Sequence, residues 1–157
     1  IAGTRPENFF GDEFRENFKN HLEELHKIKN KLPKDKWSDA IRAIVITDII
    51  NPLNEVINKH GVQWELDSLS RTDFVYLLHN MPTRHVNHHL HMQVLKDNNY
   101  KPKHTDLEDW SALGLASQYC DIVVCEKHFQ SLIYKDGFAP YARVVKDLGS
   151  VPEMLGF

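Results

Sequence analysis

The chain of 157 residues is long enough for one domain with a sizeable core, since 41% of its residues are hydrophobic and 26% are charged. Its formal net charge of −3 excludes a polycation, so any contact with nucleic acid would depend on a local basic patch. No apolar stretch approaches the ~20 residues of a membrane-spanning helix, and two cysteines are too few for a disulfide framework. We therefore expect a cytoplasmic protein that does not enter a membrane.

Residues 1–66 predict a helical region. A first helix is expected from Asp12 or Glu13, because apolar side chains recur at helical spacing until Pro33 ends the pattern. A second helix is expected from about residue 38. Its run AIVITDII is rich in β-branched residues and could instead be a buried strand that ends in Asp48. Helix is favoured because the apolar positions do not alternate, and Gly61 supplies a typical helix end.

The middle of the chain predicts a short extended segment over 62–66 and then two helices. Ser70 or Thr72 is expected to cap the first, and the second is expected from about Arg84 to Asp97. A loop with a small basic cluster follows, made by Lys101, Lys103 and His104.

From residue 106 onward the pattern predicts helix, strand, helix, strand and helix. The apolar strand 122–124 directly follows a helix that ends near residue 119, and a second strand is expected over 141–145. Such alternation is typical of an α/β sheet with parallel neighbouring strands.

Four carboxylates lie around this alternation: Asp106, Glu108, Asp109 and Glu126. The carboxyl ends of parallel strands and the adjoining helix N-termini face one crevice, so Asp109 and Glu126 could meet although 17 positions separate them. Converging carboxylates suit a hard divalent cation such as Mg²⁺ or Mn²⁺. Helix capping by Thr105 or Asp106, with the other acids in the first turn, explains the same residues equally well.

Three short motifs in this region stand in a particular order and spacing: TDLED at 105–109, QYCD at 118–121 and VVCEK at 123–127. With NMP at 80–82 and ARVV at 142–145, they resemble the C-terminal part of a bacterial branch of PIN-like nuclease domains. The resemblance covers about residues 70–157. It implies an α/β fold, a Rossmannoid three-layer domain with a parallel sheet flanked by helices, whose C-terminal part would occupy residues 67–157 after a helical region at 1–66.

The resemblance also implies a metal-dependent nuclease that acts on RNA more than on DNA, with Mg²⁺ or Mn²⁺ as cofactor. Matched by position, Asp109, Asp106 and Glu126 would be the catalytic and metal-binding acids. Cys125 stands where the family usually has Thr or Ser. The family's first acid ends an N-terminal strand, for which Asp48 is a weaker candidate unless that strand lies upstream of Ile1. Asp73 is a weaker candidate for the second acid.

Lys127, Arg143 and His104 are the candidates for phosphate contacts beside the acids. A second copy of the chain, in a homo-oligomer, could complete the acidic site. Two alternative functions remain open. The chain could be a catalytically degenerate PIN-like module that binds nucleic acid or a protein partner. It could also be a zinc-binding module that uses the histidines between His85 and His91, two of which are separated by four positions, as Zn²⁺ ligands on a helix can be.

Overall fold

The computed structural model describes residues 11–61, 69–103 and 105–156, except for the side chain of Asp48. In chain order the helices and strands are α1 (Asp12–Lys31), α2 (Trp37–Lys59), α3 (Arg71–His79), α4 (Pro82–Lys96), α5 (Asp106–Tyr119), β1 (Ile122–Val124), α6 (Lys127–Ile133), β2 (Arg143–Val145) and α7 (Val151–Met154). Short 3₁₀ turns lie at Lys34–Lys36, Lys135–Gly137 and Leu148–Ser150. The segment 62–66, expected to be extended, lies outside the described residues.

The expected three-layer α/β domain is wrong. The described residues are mostly helical, and their only sheet has two strands of three residues each. The strands β1 and β2 pair in parallel, with Ile122 opposite Arg143 and Val124 opposite Val145, as the alternation after residue 106 predicted. The local elements of the C-terminal region are therefore confirmed, whereas the large sheet that they were expected to join is not found in the described part of the chain.

The run AIVITDII lies inside α2 and is not a strand, as the lack of alternation indicated. Ile41 and Val45, four positions apart, are both buried, so the β-branched residues are held by helical packing that overrides their strand propensity. Pro52 also lies inside α2 and removes one helical hydrogen bond without ending the helix. The helix ends before Gly61, whose φ of +62° is in the left-handed region that favours glycine.

The central element is α4, which packs against α1, α2, α3, α5 and α6. Its residues Val86, Leu90 and Val94 lie four positions apart on one face and are fully buried. One hydrophobic core joins them to α1, α2, α5, α6 and β2, so the regions expected at 1–66 and 67–157 share a core. None of the helices in the described ranges combines the length and the hydropathy needed to cross a bilayer.

Candidate functional site

The three acidic side chains in the first turn of α5 have different surroundings. Asp106 is only 3% exposed, and its Oδ2 atom accepts hydrogen bonds from the Tyr100 hydroxyl at 2.7 Å and from the Lys103 backbone N–H at 2.8 Å. Burial and the Asp106 carboxylate together raise the pKa of Tyr100, so the phenol remains a donor. The two hydrogen bonds that Asp106 accepts therefore hold the preceding loop against α5. Thr105, the expected alternative cap, makes no side-chain capping hydrogen bond.

Glu108 pairs with Arg15 of α1. Both Nε and Nη2 of the guanidinium contact the same carboxylate oxygen, Oε1. The contact joins two helices 93 positions apart in sequence, and Glu108 is two-thirds buried. The ion pair is therefore one of the contacts, with that of Phe18 and Trp110, that hold α1 against α5.

Asp109 is the predicted acid whose pKa responds to the charges of the other three. Asp109 is half-buried in the first turn of α5, and Glu126 is exposed at the residue where α6 begins. Burial raises the pKa of Asp109, and the negative charge of Glu126 raises it further, followed by those of Asp106 and Glu108. In the tertiary structure the charge of Glu126 is thus near enough to Asp109 to raise its pKa.

Cys125 lies between these acids, at the C-terminal end of β1, where its backbone N–H donates to the Val145 carbonyl at 2.9 Å. Burial raises the pKa of its thiol, and the charge of Asp109 raises it further. The protonated thiol is a poor nucleophile and a poor metal ligand. The chemistry available at this place therefore comes from the carboxylates.

The cationic candidates are spread over different parts of the molecule. Lys127 is the first residue of α6 and is exposed next to Glu126. Arg143 begins β2 opposite Ile122, so it lies at the end of the sheet away from Glu126. His104 lies outside the described residues. Lys103, from the basic cluster of the preceding loop, lies close enough to Asp109 to lower its pKa.

The sequence gives little sign of the parts played by Lys103 and Tyr100. Both lie in an irregular loop, where no periodic pattern predicts the direction of a side chain. A tyrosine six positions before a buried aspartate is consistent with a hydrogen bond, but many other loop arrangements fit the same spacing. Their positions follow from the way the loop packs on α5.

The two weaker acidic candidates lie in helices. Asp73 forms a capping box with Ser70 at the start of α3: its Oδ2 accepts from the Ser70 N–H at 2.8 Å, and its own N–H donates to the Ser70 hydroxyl at 3.2 Å. Asp48 lies within α2 and does not follow a strand, so the N-terminal strand that it was expected to end does not form there. The side chain of Asp48 is outside the described part of the structure.

The four histidines of α4 contact residues from several other parts of the chain. His85 stacks on His79, with 4.2 Å between ring centroids, and His89 stacks on Phe138 at the same distance. His88 Nε2 lies 3.3 Å from the Ser38 hydroxyl. The fourth, His91, contacts His21 of α1. His85 also contacts Phe138, with 5.2 Å between ring centroids, so His85 and His89 share a neighbour. All four rings are thus part of the packing of α4 against the elements around it.

Within the described ranges, no group of three or more His, Cys, Asp or Glu side chains has an arrangement that could hold a metal ion. Comparison of the chain with models of protein families, with curated proteins and with solved structures found no significant match.

Proposed function

We propose that the chain is a divalent-metal-dependent phosphodiesterase centred on Asp109 and Glu126, with RNA preferred to DNA as its substrate. The observation that carries the proposal is the electrostatic one: the charge of Glu126 raises the pKa of Asp109 although they are 17 positions apart. Two carboxylates that repel each other at a half-exposed place gain by sharing a cation. The preference for RNA rests on the resemblance of residues 105–127 to PIN-like nucleases.

The donor set fits a hard cation. Mg²⁺ is commonly held through one or two carboxylates, while water and the substrate phosphate fill its other positions. A cation bound there would polarise the phosphate and lower the pKa of a coordinated water. In the proposed site Asp109 and Glu126 hold the ion, and Lys127 and Lys103 contact the phosphate backbone. Asp106 acts as a positioning residue, because it binds the backbone N–H of Lys103.

The test is cleavage of end-labelled single-stranded RNA in Mn²⁺, with an equal concentration of single-stranded DNA in parallel. Asp109→Asn and Glu126→Gln each remove one carboxylate charge and keep the side-chain shape. We expect each to slow cleavage by at least about 10²-fold, since metal stabilisation of the transition state contributes several kcal/mol. Chelator should abolish cleavage by the unmodified protein.

The matched control is Asp121→Asn, which removes an exposed acid just before β1, at the end of the strand away from Glu126. It should leave the cleavage rate unchanged, and circular dichroism should show all three variants to be folded. Cleavage that survives both Asp109→Asn and Glu126→Gln would refute the assignment of the site.

A second candidate function is binding of nucleic acid or of a protein partner without cleavage. This candidate is favoured because Asp106 accepts hydrogen bonds from Tyr100 and Lys103. Of the three acids expected to bind the metal, only Asp109 and Glu126 then remain for the ion. Fluorescence anisotropy with labelled RNA discriminates the two functions. Saturable binding that is stable for hours in Mn²⁺, with no shortening of the RNA, would establish this candidate over the first.

We infer that the protein acts in the cytoplasm. Cys120 and Cys125 are both free thiols, and Cys120 is exposed. An exposed thiol without a partner is better suited to a reducing compartment than to an oxidising one. A reporter fused to the C-terminus and followed by fractionation would test the location.

A further inference from the structure

The loop that precedes α5 and the exposed His128 of α6 line a cavity of about 410 Å³. This volume is within the range of ligand-binding clefts, which is about 300–1,000 Å³. Lys103 and Asp106 belong to the same lining. Because Lys103 also lies close enough to Asp109 to lower its pKa, the cavity adjoins the proposed acidic centre. A substrate held by that centre would therefore have the cavity beside it.

The aromatic part of the cavity is a pair of stacked rings. The ring centroids of Tyr100 and His128 are 5.5 Å apart, and their planes make an angle of 28°. Tyr100 is only 7% exposed and its hydroxyl donates to Asp106, so its ring is a fixed support, whereas His128 is exposed. One face of the imidazole packs toward the buried ring, which leaves the other face for a further planar group. Proteins that bind single-stranded RNA stack bases on aromatic and histidine rings in this way.

Lys101 and Lys103 supply positive charge to the same cavity. Both are exposed, and no carboxylate in the described part of the chain forms an ion pair with either ammonium group. Lysine is a common contact for phosphate, to which it presents a mobile point charge. The two side chains therefore suit the phosphate of a ligand.

The acids in the lining do not oppose an anionic ligand, because both already have partners. Asp97 Oδ1 accepts from the Asn99 backbone N–H at 2.9 Å, and its Oδ2 lies 3.7 Å from the ammonium group of Lys135. Asp106 is 3% exposed and accepts two hydrogen bonds. The lysine ammonium groups and the imidazole are the groups of the lining that remain for a ligand.

We propose that this cavity is a subsite for one nucleotide of a single-stranded RNA, whose base stacks on His128 and whose phosphate contacts Lys101 and Lys103. The inference rests on the proposed function and deepens it, since it assigns the residues that hold the strand beside the acidic centre. A nucleotide uses both the ring and the cations, whereas inorganic phosphate uses the cations alone. Stacking on one ring accepts any base, so the subsite contributes affinity more than sequence specificity.

The experiment measures binding of a short fluorescein-labelled single-stranded RNA to the full chain by fluorescence anisotropy, with chelator present so that metal-dependent cleavage does not interfere. His128→Ala should weaken binding by about 5–150-fold, the loss that corresponds to one stacked base. His128→Phe keeps a ring at the same place and should restore most of the affinity. Circular dichroism should show both variants to be folded, because the side chain that they change is exposed.

The lysines are tested through the salt dependence of binding. Each phosphate contact with a single strand contributes about 0.7 to the slope of log K against log salt concentration, so Lys101→Gln should reduce the slope by about that amount. Lys59→Gln and His60→Ala are the matched controls, since both residues are exposed at the end of α2 and lie outside the lining of the cavity. Neither should change the affinity or the slope.

Competition separates a nucleotide subsite from a simple anion site. Adenosine monophosphate should displace the labelled RNA at a lower concentration than inorganic phosphate does, because only the nucleotide has a base to stack. Equal displacement by the two would overturn the proposal. So would the absence of saturable RNA binding, an unchanged affinity in folded His128→Ala, or an equal loss in His60→Ala.

The subsite and the phosphodiesterase can fail separately. If cleavage in Mn²⁺ depends on Asp109 while His128→Ala binds RNA with unchanged affinity, the subsite is refuted and the phosphodiesterase stands. If RNA binding depends on His128 and Lys101 but the RNA is never shortened in Mn²⁺, the subsite stands and the phosphodiesterase is refuted.

Discussion

Replacing Tyr100 with phenylalanine removes one hydroxyl group and keeps the ring, which stacks beside His128 with 5.5 Å between centroids. The lost hydrogen bond is the one from the Tyr100 hydroxyl to Asp106 Oδ2, at 2.7 Å. Asp106 is only 3% exposed. A hydrogen bond to a charged group contributes about 1.5–3 kcal/mol. For a chain of this length each kcal/mol corresponds to about 2–4 °C, so we expect Tm to fall by about 3–12 °C.

The assay is thermal unfolding followed by circular dichroism, with urea unfolding to give the free energy directly. Tyr76→Phe is the control, because the Tyr76 side chain is 71% exposed and such a change usually costs no more than about 0.5 kcal/mol. Asp106→Asn should cost less than Asp106→Ala, since both hydrogen bonds use one oxygen, Oδ2, which an amide oxygen can replace.

A double-mutant cycle of Tyr100→Phe with Asp106→Ala isolates the pair, and the two changes should be less than additive in their cost. The reasoning would be refuted by a Tyr100→Phe protein that unfolds at the temperature of Tyr76→Phe, or by strict additivity in the cycle. Either result would mean that Asp106 is not held by the loop and is free to act as a metal ligand.

Three further predictions concern stability. Burial lowers the pKa of His88 to about 4 and that of His91 to about 3, whereas an unfolded imidazole titrates near 6.5, so protonation favours the unfolded state as pH falls below that value. For each of the two residues, the free energy of unfolding should fall by about 2 kcal/mol between pH 7 and pH 5, as measured by urea unfolding at both pH values. Asp109→Asn should raise Tm at pH 7, because the raised pKa of Asp109 means that its ionised form destabilises the fold. The difference in Tm between the variant and the unmodified protein should vanish below the unfolded pKa of about 3.9. An unchanged Tm at pH 7 would contradict this prediction. Ser70→Ala, which removes half of the capping box with Asp73, should lower Tm by about 1–8 °C while any cleavage rate stays the same, and a lost rate would show that Asp73 serves the site.

The local elements could be read from the sequence because their signals are local. The helical spacing of apolar residues predicted α1 and favoured α2, and Ser70, one of the two expected caps, does begin α3. The alternation after residue 106 predicted α5, β1, α6 and β2 and the parallel pairing of the two strands. Each of these depends on interactions between residues a few positions apart, or on neighbouring elements of a single β–α–β unit.

The error in fold class has a physical reason. A β–α–β unit has the same local pattern whether it belongs to a large sheet or forms a small one at the side of a helical core. The outcome depends on what packs against it, and here α4 occupies the centre with α1, α2 and α3 around it. No property of residues 106–145 taken alone distinguishes the two cases.

The sequence by itself indicated which segments form helices and which form the two strands, and it identified the acids that surround β1. Only the tertiary structure decided what each acid does. Asp106, Glu108 and Asp109 are within four positions of one another, yet the first binds a loop, the second binds α1 and the third responds to the charge of Glu126. The same is true of His21 and His91, which meet across 70 positions. Side-chain partners of this kind depend on how helices pack, and packing is a property of the whole chain.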